Sequence, residues 1–120
     1  MTPRNLPSSD GSASTVTSLE SEVEKARRGR GYSEFLRVPS MSVGVYVLAA
    51  GATDTQIPHS EDEIYFVARG RGRFQDGEVD VEATAGDVLF VPSHRKHRFH
   101  SITEELVLLV VFAPAERLPD

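Results

Sequence analysis

The sequence predicts a small all-β protein, a sandwich or barrel of short strands preceded by one short helix. From residue 35 onward, short apolar and β-branched runs recur at close spacing, as in all-β domains. Turn residues separate these runs, and Asp76-Gly77 is the signal of a type I′ hairpin. A chain of 120 residues has the length of one domain built around one core.

Composition excludes several classes of function. The net charge of −5 argues against nucleic acid as the main partner, since phosphate binding needs a concentrated positive surface. Because the chain has no cysteine, only His, Asp or Glu can hold a metal. The N-terminus lacks the apolar core of a signal peptide, and the longest apolar run, residues 106–114, is too short to span a bilayer. We therefore expect a cytoplasmic protein with no membrane partner.

The N-terminal third of the chain predicts an arm and a helix. Residues 1–16 are polar and rich in Ser, Thr and Pro, which is typical of a flexible arm. Residues 17–34 predict a short helix and a connector, in which Thr17 and Glu20 form a capping box. Arginines and then Gly29 or Gly31 mark the helix end. The apolar stripe of the helix consists of Leu19, Val23 and Ala26.

Strand patterns occupy residues 35–114, and residues 115–120 form a C-terminal tail. The last pattern is apolar on both faces, so its outer face needs cover from the N-terminal segment or from a second subunit. The predicted strands are residues 42–50, 63–68, 73–75, 79–81, 87–91, 96–102 and 106–113.

A run of alternating arginines, residues 69–73, lies between two of these strand patterns. The run is similar to an RGG-type nucleic-acid segment. Its position favours a β-turn whose arginines point to solvent or form salt bridges.

The histidines predict a metal site. Three of the four, His94, His97 and His100, lie within one short stretch, and His59 precedes the acidic residues 61–63. A His beside a carboxylate-rich strand start, with further His one hairpin later, is a candidate metal-binding constellation.

Residues 51–70, GATDTQIPHSEDEIYFVARG, resemble the first motif of the cupin family. That motif is a Gly, five residues, His-x-His, three or four residues, Glu, six residues and Gly. The residues that match it are Gly51, His59, Glu63 and Gly70, while Ile57 stands where the family has its first His.

Residues 86–101, GDVLFVPSHRKHRFHS, resemble the second cupin motif. Gly86, Pro92 and His97 match, while His94 replaces a Gly and Ser101 replaces an Asn. The resemblance covers residues 35–114. It implies a cupin double-stranded β-helix, a jelly-roll barrel, preceded here by the short N-terminal helix.

The resemblance also implies a metal site made of His59, Glu63 and His97. An alternative alignment makes His59 the first ligand and Glu61 the second, but it breaks the spacing to Glu63. Two imidazoles and one carboxylate form a facial triad that holds Fe(II) with open positions. The same donors bind Mn, Zn or Ni, and the sequence does not choose among these metals. A second alternative is a barrel that has lost its metal and keeps a hydrogen-bonded His–Glu pair.

Strand alternation predicts which side chains share a face with these ligands. Tyr65 and Val67 share a face with Glu63, and Phe99 shares a face with His97. With Ile57, these three residues are predicted to line a substrate pocket. The same side chains equally suit a packed core. His100 faces the opposite way and is not expected to be a ligand. His94 lies in a turn, where we expect it to be exposed, with an outer proton donor as the alternative role.

The predicted function is that of a metal-binding cupin that acts on a small organic molecule, as a dioxygenase or as an isomerase or cyclase. The alternative is a non-catalytic cupin that binds or senses a small ligand, with a degenerate or absent metal site. The family resemblance also predicts a homodimer.

Overall fold

The computed structural model describes residues 13–54 and 58–117. Within them, one helix precedes six strands that pair antiparallel in the order β1-β2-β6-β3-β4, with β5 also on β3. This architecture confirms the predicted all-β class with its short N-terminal helix. The elements are α1 Leu19–Arg28, β1 Tyr32–Val38, β2 Met41–Leu48, β3 Asp62–Asp76, β4 Val79–Thr84, β5 Val88–Val91 and β6 His97–Ala113.

Two long strands, β3 and β6, pair along almost their whole length and form the frame of the barrel. Each was predicted as two short strands. Their register slips between Val67 and Arg73, where the pair bends. At the bend, Gly70 has φ +97°, and a Cβ there would overlap the carbonyl of Glu105. The strand therefore changes direction without ending.

The β-turn predicted for residues 69–73 is accordingly wrong, since these residues continue β3. Glycines that mark a turn in most contexts here allow a sharp bend and a close approach between strands. The predicted salt bridges are present. The three arginines contact carboxylates on neighbouring elements: Arg69 with Glu20, Arg71 with Glu82, and Arg73 with Asp80.

The inner face of the bent sheet holds the larger core. Along β3, Glu63, Tyr65 and Val67 are buried while Ile64 and Phe66 between them are exposed, so side chains alternate as predicted. The buried members of this core are Leu48, Tyr65, Val67, Phe74, Ala83, Val91, Phe99, Ile102, Leu106, Leu108, Val110 and Phe112.

A second, smaller core lies between α1 and the outer face of the sheet. Val23 of the helix packs with Val45 of β2 and Val107 of β6. The N-terminal segment thus covers the outer face of the last strand, which is one of the two covers that the sequence predicts. No helix among the described residues is long and apolar enough to cross a membrane; the cytoplasmic location stays a prediction.

The boundaries of α1 differ from the predicted ones at its start. Ser18, not Thr17, is the N-cap, and its side chain accepts a hydrogen bond from the Ser21 N–H at 3.1 Å. The Thr17 hydroxyl instead donates to Glu22 at 2.7 Å. Gly29 ends the helix, as predicted. The first strand begins at Tyr32, inside the predicted connector.

Glu22 joins the helix to the sheet through a buried carboxylate. Its oxygens accept hydrogen bonds from the hydroxyls of Thr17 and Ser33, each at 2.7 Å, and lie 3.4 Å from the ammonium of Lys25. Burial opposes ionisation, yet these donors together lower the pKa of Glu22 below its ordinary 4.5. The carboxylate therefore stabilises the fold only while it is ionised.

We predict that Glu22→Gln lowers the free energy of unfolding at pH 7 by about 1–3 kcal/mol, because it removes charge-assisted hydrogen bonds. A carboxyl with a lowered folded-state pKa stabilises above its unfolded pKa and loses that effect as the pH falls. The gap between the variant and the wild type should therefore shrink below pH 4.5. Urea titrations at several pH values measure this gap. The control Glu24→Gln removes an exposed carboxylate, and a gap of equal size at pH 3 and pH 7 would contradict the prediction.

Candidate functional site

Two of the predicted ligands, Glu63 and His97, meet on the inner face of the barrel. Glu63 lies near the start of β3, where it pairs with Val91 of β5 and Phe112 of β6. His97 is the first residue of β6. Both side chains are 1% exposed, and His97 Nε2 lies 3.3 Å from Glu63 Oε1. The sequence thus correctly pairs residues from its two separate motifs.

The ring of His97 has a defined orientation. Its Nδ1 lies 2.8 Å from the carbonyl oxygen of Arg95, which can only accept, so Nδ1 carries the proton. In the neutral ring Nε2 is then the nitrogen with the lone pair. The hydroxyl of Tyr65 lies 3.0 Å from Nε2 and can donate to it. The lone pair therefore points into the site, between Tyr65 and Glu63.

The carboxylate of Glu63 is buried without a hydrogen bond to either oxygen. A buried carboxylate in this condition is costly unless a cation or a proton lies beside it. Burial by itself would lower the pKa of His97, but the Glu63 carboxylate, the Arg95 carbonyl and the Asp54 charge together raise it. A protonated His97 supplies such a cation beside Glu63. The donor set, an imidazole nitrogen facing an unpartnered carboxylate, equally fits a divalent metal ion.

His59 lies next to this pair rather than in contact with it. Its ring packs against Phe112 with centroids 4.9 Å apart, and Phe112 is the β6 neighbour of Glu63. Its Nδ1 lies 3.2 Å from a carboxylate oxygen of Glu116, and its carbonyl accepts a hydrogen bond from the N–H of His94 at 2.6 Å. These contacts place the partly exposed His59 between Phe112 and the C-terminal tail.

Across residues 13–54 and 58–117, no three His, Asp or Glu side chains converge closely enough to hold a metal ion as they stand. The structure therefore brings together two of the three predicted ligands, with His59 as their neighbour. The complete three-ligand set stays a prediction. Ile57, predicted at the family's missing His position and in the pocket lining, lies outside the described residues.

Glu61, the ligand of the alternative alignment, is buried but already has protein donors. Its carboxylate accepts a hydrogen bond from the Ser60 hydroxyl at 2.5 Å and another from the Arg117 N–H at 3.3 Å. Glu63 has no such donors. This contrast favours Glu63 as the ligand.

The other residues singled out in the sequence divide between core and surface. Tyr65, Val67 and Phe99 are fully buried core residues, and of these Tyr65 presents a polar atom to His97. Their contact with a substrate stays a prediction. His100 bonds to Asp80, with Nε2 and a carboxylate oxygen 3.0 Å apart, and His94 is exposed, both as expected.

Sequence reasoning missed two acidic residues of this region. Asp54 is buried and accepts hydrogen bonds from the Tyr46 hydroxyl at 3.1 Å and the Phe99 N–H at 2.9 Å, which join Asp54 to strands β2 and β6. Glu116 lies in the tail that was predicted to be separate from the barrel. Burial and the nearby carboxylates, first that of Glu61, raise the pKa of Glu116 to about 7. No sequence pattern marks either residue, since each acts through partners distant in the chain.

A bent antiparallel barrel with a buried Glu–His pair contributed by two separate motifs defines the class of small conserved-barrel proteins. The chain belongs to the cupin family, because the family model for the cupin domain matches residues 44–112. The resemblance noted in the sequence is thereby confirmed, and so is the jelly-roll fold.

Several known proteins are similar to this chain. An uncharacterized protein of Streptomyces coelicolor is 46% identical over 97 residues, which cover 81% of this chain and 92% of that protein. An acireductone dioxygenase of Ixodes scapularis is 30% identical over 87 residues; the match covers 67% of this chain but only 48% of that relative. A double-stranded beta-helix protein of Klebsiella pneumoniae has a TM-score of 0.72 at 20% identity, covering 85% of this chain and 91% of that one, which shows the fold alone.

We predict that Glu63→Gln lowers the pKa of His97 in metal-free protein, because the substitution removes the carboxylate that favours the imidazolium. Histidine ring signals followed by NMR across a pH titration measure this pKa. Asp80→Asn provides the control, since it removes the carboxylate beside His100 and leaves the His97 site intact. An unchanged His97 titration in Glu63→Gln would show that the two groups do not interact.

Proposed function

We propose that this chain is a metal-dependent cupin enzyme that oxidises a small organic molecule with dioxygen. The observation that carries the proposal is the buried carboxylate of Glu63, which accepts no hydrogen bond and lies 3.3 Å from Nε2 of His97. The similarity to acireductone dioxygenases favours oxygenation over isomerisation or cyclisation. Since this chain spans about half the length of the Ixodes relative, the activity of that protein enters here only as a guide to reaction class.

His97, Glu63 and His59 are the residues that would hold the ion. When bound, a divalent metal supplies Lewis acidity and open coordination positions at this donor set. The Arg95 carbonyl keeps His97 in the tautomer that presents Nε2. The Tyr65 hydroxyl, 3.0 Å from Nε2, holds a proton at the inner wall of the chamber.

Aromatic rings pack beside this donor set. The rings of Tyr65 and Phe99 lie 5.0 Å apart, and those of Phe74 and Phe99 lie 5.2 Å apart, in tilted and edge-to-face arrangements. With Val67 they form an apolar base to the site. Such a base suits an organic substrate with a small polar group at the metal and an apolar remainder.

We predict that the untagged protein binds one divalent metal ion per chain and that His97→Ala and Glu63→Gln abolish the binding. Each of Fe(II), Mn(II), Zn(II) and Ni(II) is titrated calorimetrically into chelator-treated protein, and bound metal is quantified by mass spectrometry. At a free metal concentration of a hundred times Kd, the metal should raise the free energy of unfolding by about 2.7 kcal/mol. His100→Ala is the matched control, because that imidazole lies outside the barrel beside Asp80.

To test activity, oxygen consumption by the metal-loaded protein is measured with a panel of small enediols, diketones and phenols. The proposal expects consumption that depends on metal and is lost in His97→Ala. Metal binding without oxygen consumption across the panel would refute the oxygenase class. Absence of metal binding would refute the proposal altogether.

The proposal includes a homodimer formed through an apolar patch on the outer face of β3 and β5. Four apolar side chains that lie opposite one another in the register are between 39% and 65% exposed. Because each chain carries a net charge of −5, two copies repel one another except where they meet through an uncharged surface. A second copy of this chain is therefore the occupant that fits the patch. Its members are Ile64, Phe66, Val88 and Phe90.

We predict that light scattering after size exclusion gives twice the chain mass of 13.2 kDa for the wild type and the chain mass for Phe90→Glu. Phe90 is 61% exposed, so the substitution should leave the monomer folded. Val81→Glu introduces the same charge on the exposed side of β4 and serves as the control. A monomeric wild type, or a dimer that survives Phe90→Glu, would count against this interface.

A further inference from the structure

The C-terminal tail is fixed across the rim of the barrel by its own backbone. The N–H of Glu116 donates to the hydroxyl of the buried Ser42 at 2.8 Å, and the N–H of Arg117 donates to Glu61 at 3.3 Å. The N–H of Ala115 donates to the carbonyl of Pro39 at 3.4 Å. Three consecutive backbone donors thus have acceptors in the β1–β2 hairpin and just before β3. The position of the tail does not depend on the side chain of Glu116.

That side chain reaches His59. A carboxylate oxygen of Glu116 lies 3.2 Å from His59 Nδ1, and the two side chains are 19% and 18% exposed. Once Glu116 is ionised, its carboxylate can only accept a hydrogen bond, so Nδ1 of His59 is then the protonated nitrogen and Nε2 carries the lone pair in the neutral ring. The ring is further confined by Phe112 on one side, with centroids 4.9 Å apart.

The two imidazoles of the site are therefore held in the same way. In His97 the Nδ1–H donates to a backbone carbonyl, and in His59 it donates to a carboxylate. Metal-binding histidines nearly always donate their second ring N–H to an acceptor of one of these kinds, which fixes tautomer and orientation.

We infer that Glu116 is a positioning residue for the metal centre, which holds His59 in the tautomer and orientation that a ligand needs. The inference rests on the proposed function and assigns the C-terminal tail a role in the metal site. The tail restricts His59 at a site where Ile57 replaces a further imidazole of the family motif. With fewer histidine ligands, the orientation of each remaining one has a larger effect on metal affinity.

The test compares Glu116→Ala with Glu116→Gln, using metal affinity and the tautomer of His59 as readouts. Mn(II) and Zn(II) are titrated into chelator-treated full-length protein by calorimetry, and the ring nitrogens of His59 are followed by NMR without metal. Loss of such a partner weakens metal binding by about 10–100-fold. Glu116→Ala should show this loss together with a change of the His59 tautomer. The Gln carbonyl still accepts the Nδ1–H, so Glu116→Gln should retain the tautomer and most of the affinity.

The control Glu34→Gln removes a different carboxylate, one paired with Arg37 and close enough to Glu116 to influence it. It separates positioning from a general effect of negative charge near a cation. Equal losses in Glu116→Ala, Glu116→Gln and Glu34→Gln would overturn the positioning role, as would unchanged or tighter metal binding in Glu116→Ala. A wild type that binds no metal would instead overturn the proposed function, and this inference with it.

Discussion

The contact between the Glu63 carboxylate and His97 is the interaction on which the interpretation of this molecule depends. Both groups are buried, and neither carboxylate oxygen accepts a hydrogen bond. Natural barrels rarely bury a carboxylate in this condition without a cation to balance it. The two residues are 34 positions apart in the sequence, and the fold places His97 Nε2 3.3 Å from Glu63 Oε1.

The bent pairing of β3 and β6 is what produces this proximity. Glu63 lies near one end of β3, and His97 begins β6, whose opposite end pairs beside Glu63. The bend at Gly70 curves the paired strands. The start of β6, at His97, thereby comes close to the start of β3, at Glu63. Hydrogen bonds join the residues on either side of the site: Asp54 accepts from the Phe99 N–H, and the His59 carbonyl accepts from the His94 N–H. These contacts help to preorganise the site.

The sequence predicts the elements of the fold better than their lengths. β-branched and apolar runs identified most of the strand positions, because a strand buried on one or both faces requires such residues. The glycines at 70 and 72 led to the wrong prediction of a β-turn, because local sequence does not distinguish a bend in a paired strand from a chain reversal. In the site, motif spacing pointed to Glu63 and His97, whose side chains the fold brings together; their role as ligands stays a prediction. Asp54 and Glu116 could not be found this way, because each contacts the site through a residue far away in sequence, 45 residues away for Asp54 and Phe99.

The most direct test of the metal centre is an anomalous difference map from crystals of the Mn(II)-loaded chain, collected on both sides of the manganese edge. The account predicts one strong peak per chain inside the barrel, about 2.0–2.2 Å from His97 Nε2 and a Glu63 oxygen, near the distances seen for small divalent ions. His59 should be turned toward the same peak. A barrel without a peak at saturating metal, or a peak confined to surface carboxylates such as Asp80, would contradict it.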